Sequence, residues 1–267
     1  MASSTRQALV AAKEAISPLL KGADLRFAEE LFTIGAAVAS SIQLRNLLSD
    51  PSGEAKAKQG ALAAVFGKSV SKDALAFANT LSGLRWSKGS DLVAAFEQIG
   101  VYVVASIAAK SGDLNSLEAE LFAARQVIDS DQELQQALSS RQADIESKVA
   151  LVSSLFAKKL SASASLLVRF AVVGSRHVKL SEVLERFGKQ VSEVASRLVA
   201  TVTVAQPLSA AQLQKLESAL SASYGQELNL NVEIDPSILG GVKVQVSGEI
   251  IDGSVASRLN QAKLQLA

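Results

Sequence analysis

The sequence contains no cysteine, only one histidine (His177) and only four prolines among its 267 residues. Without cysteine it can form neither a disulfide bond nor a thiolate metal site, which suits a reducing compartment. Any other metal site would need carboxylates beside His177, and the sequence shows no such cluster. Because proline removes a backbone donor and clashes inside a helix, its scarcity leaves room for long helices. We therefore expect no bound metal and a largely helical chain.

Neither sign of charge is in excess, since 27 basic and 26 acidic residues are interspersed and the net charge is +1. Nucleic-acid-binding proteins normally carry a basic patch or stripe, so no nucleic-acid partner is expected. Residues 1–20 are too polar for a signal peptide, and no uncharged apolar stretch of about 18 residues is evident that could span a bilayer. The longest weakly polar run, residues 99–109, indicates the end of a packed helix. We expect no direct membrane insertion.

The motifs of common enzyme classes are also missing: there is no phosphate-binding loop, dinucleotide fingerprint or nucleophile elbow. His177 follows Arg176 in a helix-breaking segment, which favours a surface or half-packed role over general-base work. Asp129 and Asp131 flank a helix junction, where aspartate ordinarily caps a helix. Trp86, the single tryptophan, is interpreted as a packing anchor in preference to a partner hot spot. We expect no catalytic residue and no cofactor.

Apolar residues recur at three- and four-residue steps through most of the first 200 residues, which is the spacing of one helix face. The clearest stripes comprise Phe27, Leu31, Ile34 and Val38; Leu62, Val65 and Phe66; and Leu114, Leu117, Leu121, Ala124 and Ile128. Turn and capping residues interrupt the pattern at 49–53, 88–90 and 111–113. This part of the chain is therefore predicted to be a series of helices.

An internal repeat divides the helical part in two. A shift of 90 positions aligns Glu30-Leu31-Phe32 with Glu120-Leu121-Phe122, and a shift of 91 continues the register after one inserted residue. Chance matching among apolar helices is the alternative, but a register held over roughly 70 residues favours a duplicated bundle. The other aligned pairs are Leu44 with Leu134, Leu48 with Leu138, Lys58 with Lys148, Phe66 with Phe156, Lys68 with Lys158, Arg85 with Arg176, Ser90 with Ser181 and Phe96 with Phe187.

The pattern changes near residue 198 into a small α+β unit. Residues 200–204, 228–234 and 242–246 alternate in polarity as half-buried strands do. Ser209 and Gln212 form a capping box for a helix after the first strand, and a last helix is predicted over residues 254–266. The expected fold is α+β and mostly α. It comprises an N-terminal helical bundle (1–110), a repeat-related second bundle (111–197) and a C-terminal α+β domain (198–267).

The tail carries a long, ordered set of motifs: IDPSILGGV at 234–242, IIDGSV at 250–255, and then Arg258-Leu259. It resembles the delta subunit family of the bacterial ATP synthase, the counterpart of the mitochondrial oligomycin-sensitivity-conferring protein. The second motif is interpreted as the turn into the last helix. The duplicated bundle makes the chain similar to the longer delta subunits of high-GC Gram-positive bacteria. The signature residues, interpreted as requirements of the fold, are Ile234, Asp235, Leu239, Gly240, Gly241, Ile251, Asp252, Gly253, Ser254 and Arg258.

The resemblance implies a non-catalytic subunit of the peripheral stalk, present in one copy at the cytoplasmic face of the cell membrane. Family members join the alpha subunits of the catalytic head to the b subunits and so resist the torque of the rotor. The first bundle is expected to receive the N-terminal helix of an alpha subunit on its first and fifth helices. The second bundle offers a similar groove and stays open as the alternative. The residues predicted to contact the alpha helix are Leu9, Ile16, Leu75 and Leu81.

For the b subunits, the expected contacts are Val255 and Leu259 on the last helix, unless these two residues belong to the core. Two other functions stay open. A helical bundle can act as an RNA-binding or regulatory adaptor, which a salt-sensitive affinity for RNA would support. An enzyme with a site assembled from distant carboxylates would reveal itself by turnover.

Overall fold

The structure is a computed structural model that describes residues 3–140, 142–157, 159–175, 178–197, 199–224, 228–235, 238, 240–246 and 249–252. Within these residues the chain is mostly α-helical with one four-stranded sheet, which confirms the predicted α+β class. It divides into two compact units, residues 1–192 and 193–267. Both helical bundles lie in the first unit. The division into three domains stays a prediction.

The first bundle comprises six α-helices and a short 3-10 helix at Leu19–Lys21. Their bounds are α1 Ser3–Ile16, α2 Leu25–Ser40, α3 Ile42–Ser49, α4 Ala55–Phe66, α5 Lys72–Gly83 and α6 Gly89–Ser111. Asp24, Ser41 and Ser71 cap α2, α3 and α5, each accepting a hydrogen bond from the backbone N–H three residues on. Each bond satisfies an amide that has no partner within its helix. The predicted breaks at 49–53, 88–90 and 111–113 lie at the starts of α4, α6 and α7, which have no side-chain cap.

The predicted apolar stripe on α4 is correct in part. Leu62 and Phe66 are buried, whereas Val65 is 55% exposed, so its prediction as a core residue is wrong. The third buried position of α4 is Lys58, one turn before Leu62, with only 5% exposure. Its Nζ donates to the carbonyl oxygen of Ser82 at 2.8 Å, near the end of α5. The buried face of α4 thus consists of Lys58, Leu62 and Phe66, spaced four residues apart, and Val65 lies outside this face.

The second bundle repeats the first helix by helix, which confirms the register found in the sequence. Its helices are α7 Leu114–Ser130, α8 Gln132–Ser139, α9 Ile145–Leu155, α10 Ala162–Gly174 and α11 Leu180–Arg197. The starts of α8, α9 and α10 follow those of α3, α4 and α5 by 90 residues, and the start of α11 follows that of α6 by 91. All five residues of the predicted stripe on α7 are buried.

One hydrogen bond occurs at the same place in both bundles. In the first, the backbone N–H of Ser71 donates to Oε2 of Glu30 at 3.0 Å; in the second, the N–H of Ser161 donates to Oε2 of Glu120 at 2.7 Å. Each bond ties the start of one helix to the side of another across 41 residues. Chance matching of apolar positions does not produce such a bond twice, so the two bundles share one packing scheme.

The helix α6 is the longest in the described chain and is mostly apolar. By length and composition it could cross a membrane, as could α2 and α3 taken together, which are bent by 108° at their junction. Glu97 interrupts the apolar run of α6, so the expectation that no uncharged stretch of about 18 residues is present still holds for this helix. In addition, 56% of the apolar window of α6 is buried, including most of residues 99–108. This burial is typical of the core helix of a folded bundle.

Two glycines allow α2 and α6 to pack closely. A Cβ added at Gly35 of α2 would lie 2.7 Å from Cβ of Phe96, and one at Gly100 of α6 would lie 2.8 Å from the ring of Phe32. Both distances are shorter than real carbon–carbon contacts. The two helices therefore approach each other at positions where only glycine fits.

We predict that Gly35→Ala lowers the free energy of unfolding by about 1–3 kcal/mol, because the new methyl group overpacks the contact with Phe96. The matched control is Gly60→Ala on α4, where an added Cβ meets nothing within 4 Å. That change should raise the free energy of unfolding by about 0.5–1 kcal/mol through helix propensity. Urea denaturation followed by circular dichroism measures both. Equal effects of the two substitutions would contradict the close packing of α2 and α6.

The second unit contains a four-stranded sheet and one described helix. The strands are β1 Val199–Val204, β2 Asn229–Ile234, β3 Val242–Val246 and β4 Glu249–Asp252, and the helix is α12 Ala210–Tyr224. Their order is β2-β1-β3-β4, with β1 parallel to β2 and antiparallel to β3. The capping box at the start of α12 is confirmed, since the backbone N–H of Gln212 donates to Ser209 Oγ and that of Ser209 donates to Gln212 Oε1.

The strand β4 was not predicted from the sequence, which treated residues 250–255 as a turn. Residues 249–252 pair with β3 in antiparallel register, Ile251 opposite Val244. Ile250 and Ile251 are 54% and 45% exposed, so this edge strand shows no alternation of buried and exposed residues. Its conformation depends on pairing with β3 and not on its own pattern. The predicted last helix lies outside the described residues.

Candidate partner-binding surfaces

Three of the four residues predicted to contact an alpha helix are in the core of the first bundle. Ile16 and Leu81 are fully buried and Leu9 is 9% exposed. Leu75 of α5 is half-buried and has side-chain surface to offer. The contact of these residues with a partner helix stays a prediction. Leu75 is the most exposed of the four.

The structure describes six of the ten signature residues of the tail. Leu239, Gly253, Ser254 and Arg258 lie outside the described residues, as do Val255 and Leu259, the two predicted contacts of the b subunits. Gly240 and Gly241 have φ angles of 123° and 89°, which residues with a Cβ rarely adopt. The backbone N–H of Asp235 donates to the carbonyl oxygen of Val204 at 2.9 Å, extending the pairing of β1 and β2. These residues flank or lie in the connection between β2 and β3, whereas Ile251 and Asp252 belong to β4.

The residues considered for chemistry have structural partners. Trp86 is 4% exposed and its Nε1 donates to the carbonyl oxygen of Leu81 at 2.8 Å, which confirms it as a packing anchor. Asp131 caps α8 through the N–H of Leu134 at 3.0 Å, whereas Asp129 pairs with Arg125. His177 and Arg176 lie outside the described residues. Within the part that the structure describes, no three His, Asp or Glu side chains are grouped to hold a metal ion.

An aromatic cluster joins the two bundles. Phe32 of α2 stacks on Phe170 of α10 with ring centroids 4.5 Å apart and planes 14° from parallel, and it lies 6.4 Å from Phe187 of α11. Stacked aromatic pairs add about 0.5–1.5 kcal/mol to the burial of their area. Phe32 is only 5% exposed. A residue of the first bundle is therefore part of the core of the second.

Ion pairs flank this cluster. Arg169 of α10 binds Glu29 of α2, and Arg186 of α11 binds Glu97 of α6 at 2.6 Å. All four side chains are partly exposed, so each pair contributes at most about 1 kcal/mol. The first pair joins α10 to α2, and the second joins α11 to α6. A small cavity of about 110 Å³ remains beside Phe32, lined by Gly35, Ala36, Ala39, Val93, Glu97, Phe170, Val173 and Gly174.

The helix α6 serves both bundles. It closes the first as its last helix, and it precedes α7 in the chain as α1 precedes α2. It also contacts α10 as α1 contacts α5. Counted in this way, each bundle has six helices, and the first and fifth helices of the second bundle are α6 and α10. We name the surface where α6 and α10 meet the α6–α10 cleft, and the surface where α1 and α5 meet the α1–α5 cleft.

The repeat in the sequence aligns Phe32 with Phe122, but it does not predict that the two side chains differ in environment. Phe32 is buried between the bundles, whereas Phe122, at the equivalent position of α7, is 58% exposed. The only available signal was that a stripe of small residues, Gly35, Ala36 and Ala39, follows Phe32, while the equivalents of Gly35 and Ala39 are Arg125 and Asp129. Small residues on one helix face permit close packing of another helix.

The described chain is thus two packed helical bundles that share a helix, followed by a small sheet. Residues 102–266 match the family model described as ATP synthase delta (OSCP) subunit. The chain belongs to this family, whose members are structural and not catalytic subunits of the ATP synthase. The match begins within α6, so it covers the second bundle and the tail, and most of the first bundle precedes it.

Known relatives match over their whole length. The ATP synthase subunit delta of Leifsonia xyli is 39% identical over 267 residues, covering 100% of both chains. That of Pseudarthrobacter chlorophenolicus is 38% identical with the same coverage. That of Streptomyces avermitilis is 35% identical, covering 98% of this chain and 97% of its own. These relatives confirm the resemblance to the long delta subunits of high-GC Gram-positive bacteria, with the first bundle included.

A chain of the Toxoplasma gondii mitochondrial ATP synthase hexamer is similar at 18% sequence identity, covering 64% of this chain and 96% of that chain. The TM-score is 0.31, which is too low to bear on the fold.

We predict that Phe32→Ala lowers the free energy of unfolding by about 3–5 kcal/mol, because it removes a buried ring between the bundles. Phe122→Ala is the matched control at the equivalent position of the repeat, and its exposed ring should change stability by less than about 0.5 kcal/mol. Urea denaturation of the full chain measures both values. Similar losses for the two substitutions would show that Phe32 does not join the bundles.

Proposed function

We propose that this chain is the peripheral-stalk subunit that connects the alpha subunits of the catalytic head to the b subunits and holds the head against rotor torque. The observation that carries this proposal is the full-length match to ATP synthase delta subunits. In this role the chain is present once per complex, at the cytoplasmic face of the membrane. It performs no chemistry of its own.

The structure supports the first bundle as the receiver of the alpha helix. In the second bundle, the cleft between the first and fifth helices already has α2 packed across it, through Phe32 and Glu29. In the first bundle, the described element that contacts both α1 and α5 is α6, which belongs to that bundle itself. The α1–α5 cleft is therefore the place that we propose for the incoming helix.

The chemistry of the α1–α5 cleft indicates the kind of helix that fits. Leu9 and Ile16 of α1 and Leu81 of α5 are buried apolar residues, and Leu75 of α5 is half-buried. An amphipathic helix binds such a surface by placing apolar residues spaced three and four apart into it. Leu75 would be covered on binding and would contribute most among the four, because the other three are buried already.

We predict that Leu75→Ala weakens binding of a synthetic peptide from the alpha N-terminus about tenfold, the effect of losing an interface anchor. Leu44→Ala is the matched control, since Leu44 is also a half-buried leucine of the first bundle but lies on α3. It should change the dissociation constant by less than about twofold. Isothermal titration calorimetry with the full chain measures both. Wild-type affinity of the Leu75→Ala chain would exclude this cleft.

For the b subunits we propose the C-terminal unit, with Val255 and Leu259 as contacts. The support is the family resemblance of the tail, in which these two residues follow the signature. Among the described residues of this unit, the buried core comprises Ala200, Val202, Val204, Leu220, Leu228, Val244 and Val246. Docking on a partner would add to the apolar area that so small a unit removes from water.

We predict that Val255→Asp combined with Leu259→Asp abolishes capture of the b subunit from detergent extracts of membranes, with the melting temperature of the chain unchanged. The control is Ile250→Asp, which places the same charge on an isoleucine of the same unit that is 54% exposed. It should leave capture intact. A large drop in melting temperature in the double variant would assign the two residues to the core instead, and normal capture would exclude them as contacts.

A further inference from the structure

The structure contains a helix seated in a cleft of the second bundle, and that helix is part of the same chain. Phe32 of α2 lies against Gly100 of α6 on one side, where an added Cβ would be 2.8 Å from its ring. On the other side its ring stacks on Phe170 of α10. Glu29, one turn earlier on α2, binds Arg169 of α10. α2 therefore contacts both walls of the α6–α10 cleft.

The face of α2 that lies in this cleft has the pattern of a docked helix. Phe32, Gly35, Ala36 and Ala39 are spaced i, i+3, i+4 and i+7, and all four line the small cavity against α10. This spacing is the one by which amphipathic helices bind apolar grooves. The α2 face thus contributes the ring of Phe32, a row of small residues and the carboxylate of Glu29 to the contact with α10.

The repeat relates this occupied cleft to the α1–α5 cleft of the first bundle. The residues of α5 equivalent to Arg169, Phe170 and Val173 are Asn79, Thr80 and Gly83. Asn79 and Thr80 have neither the charge nor the ring that holds α2 in the second bundle. The two clefts therefore share a place in the bundle but differ in the chemistry that they present.

We propose that α2 is a built-in occupant of the α6–α10 cleft, which closes it to foreign helices and limits the chain to a single incoming helix. Phe32 is the residue that determines this limit, because its ring fills the junction of α6, α10 and α11. The inference rests on the proposed function, since it concerns which of two related clefts receives the alpha helix. It adds that the second cleft is filled internally.

The absence of cysteine from the chain allows a direct test by cross-linking. In the full chain, Ala36→Cys and Val173→Cys place thiols on the two helices that line the cavity, where both native side chains are half-buried. Bismaleimidoethane then joins α2 to α10. We expect efficient intramolecular cross-linking, and we expect the cross-linked chain to bind one peptide of the alpha N-terminus with the affinity of the untreated double variant. Calorimetry measures stoichiometry and affinity together.

Each other outcome of this experiment has a distinct meaning. Failure to cross-link would show that α2 does not lie on α10, and loss of peptide binding after cross-linking would show that the incoming helix must displace α2. Either result overturns the inference. If neither the treated nor the untreated chain binds the peptide, while b capture is normal, the proposed attachment to the alpha subunits fails instead.

The reverse experiment opens the cleft. Glu29→Arg combined with Phe32→Ala removes the anchor and sets a positive charge against Arg169, and circular dichroism checks that the variant is folded. We expect its binding stoichiometry to rise from one peptide per chain to two. The control is Phe122→Ala, the equivalent ring on α7, which should keep one peptide per chain. A folded double variant that still binds a single peptide would overturn the role of Phe32, and an unfolded one leaves the cross-linking result to decide.

Discussion

The close packing of α2 against α6 is the contact on which the rest of the helical unit depends. At Gly35 and Gly100 the absence of a Cβ lets phenylalanine side chains of the opposite helix reach the backbone. Because α6 belongs to both bundles, fixing α2 on α6 also fixes the surface on which Phe170 and Phe187 pack. The two bundles therefore share a core element and are not merely joined by a loop.

This shared core would suit the force-transmitting role that we propose. Domains joined only by a linker move relative to each other by default, so they transmit torque poorly. Close-packed interiors are nearly incompressible and transmit strain. In this chain the first bundle is joined to the second through the shared helix α6 and through the stacked rings of Phe32 and Phe170. A load applied at α1 and α5 would thus pass into α10 and α11 through packed side chains.

The two copies of the repeat keep their backbone scheme and diverge where they meet other surfaces. Glu30 and Glu120 make the same hydrogen bond in each bundle. Lys58 and Lys148 occupy equivalent positions, yet Lys58 donates to Ser82 and Lys148 donates to Ser140 at 2.6 Å. Burial lowers the pKa of Lys58, since desolvation disfavours its charge, although the negative charge of Asp50 opposes this. The glutamate hydrogen bond is thus preserved between the two copies, whereas the partners of the equivalent lysines differ.

The sequence by itself determined the helical character of the first 200 residues, the starts of α4, α6, α7 and α12, the repeat register, three of the four strands and the family, because caps, periodicity and turn residues act within a few positions of each other. It could not tell Phe32 from Phe122 or exclude Val65 from the core, since one helical period predicts a face but not what covers it. β4 was missed because an edge strand takes its conformation from the strand it pairs with. That α2 fills the α6–α10 cleft was decided only by the tertiary structure, which brings together helices more than 100 residues apart in the chain.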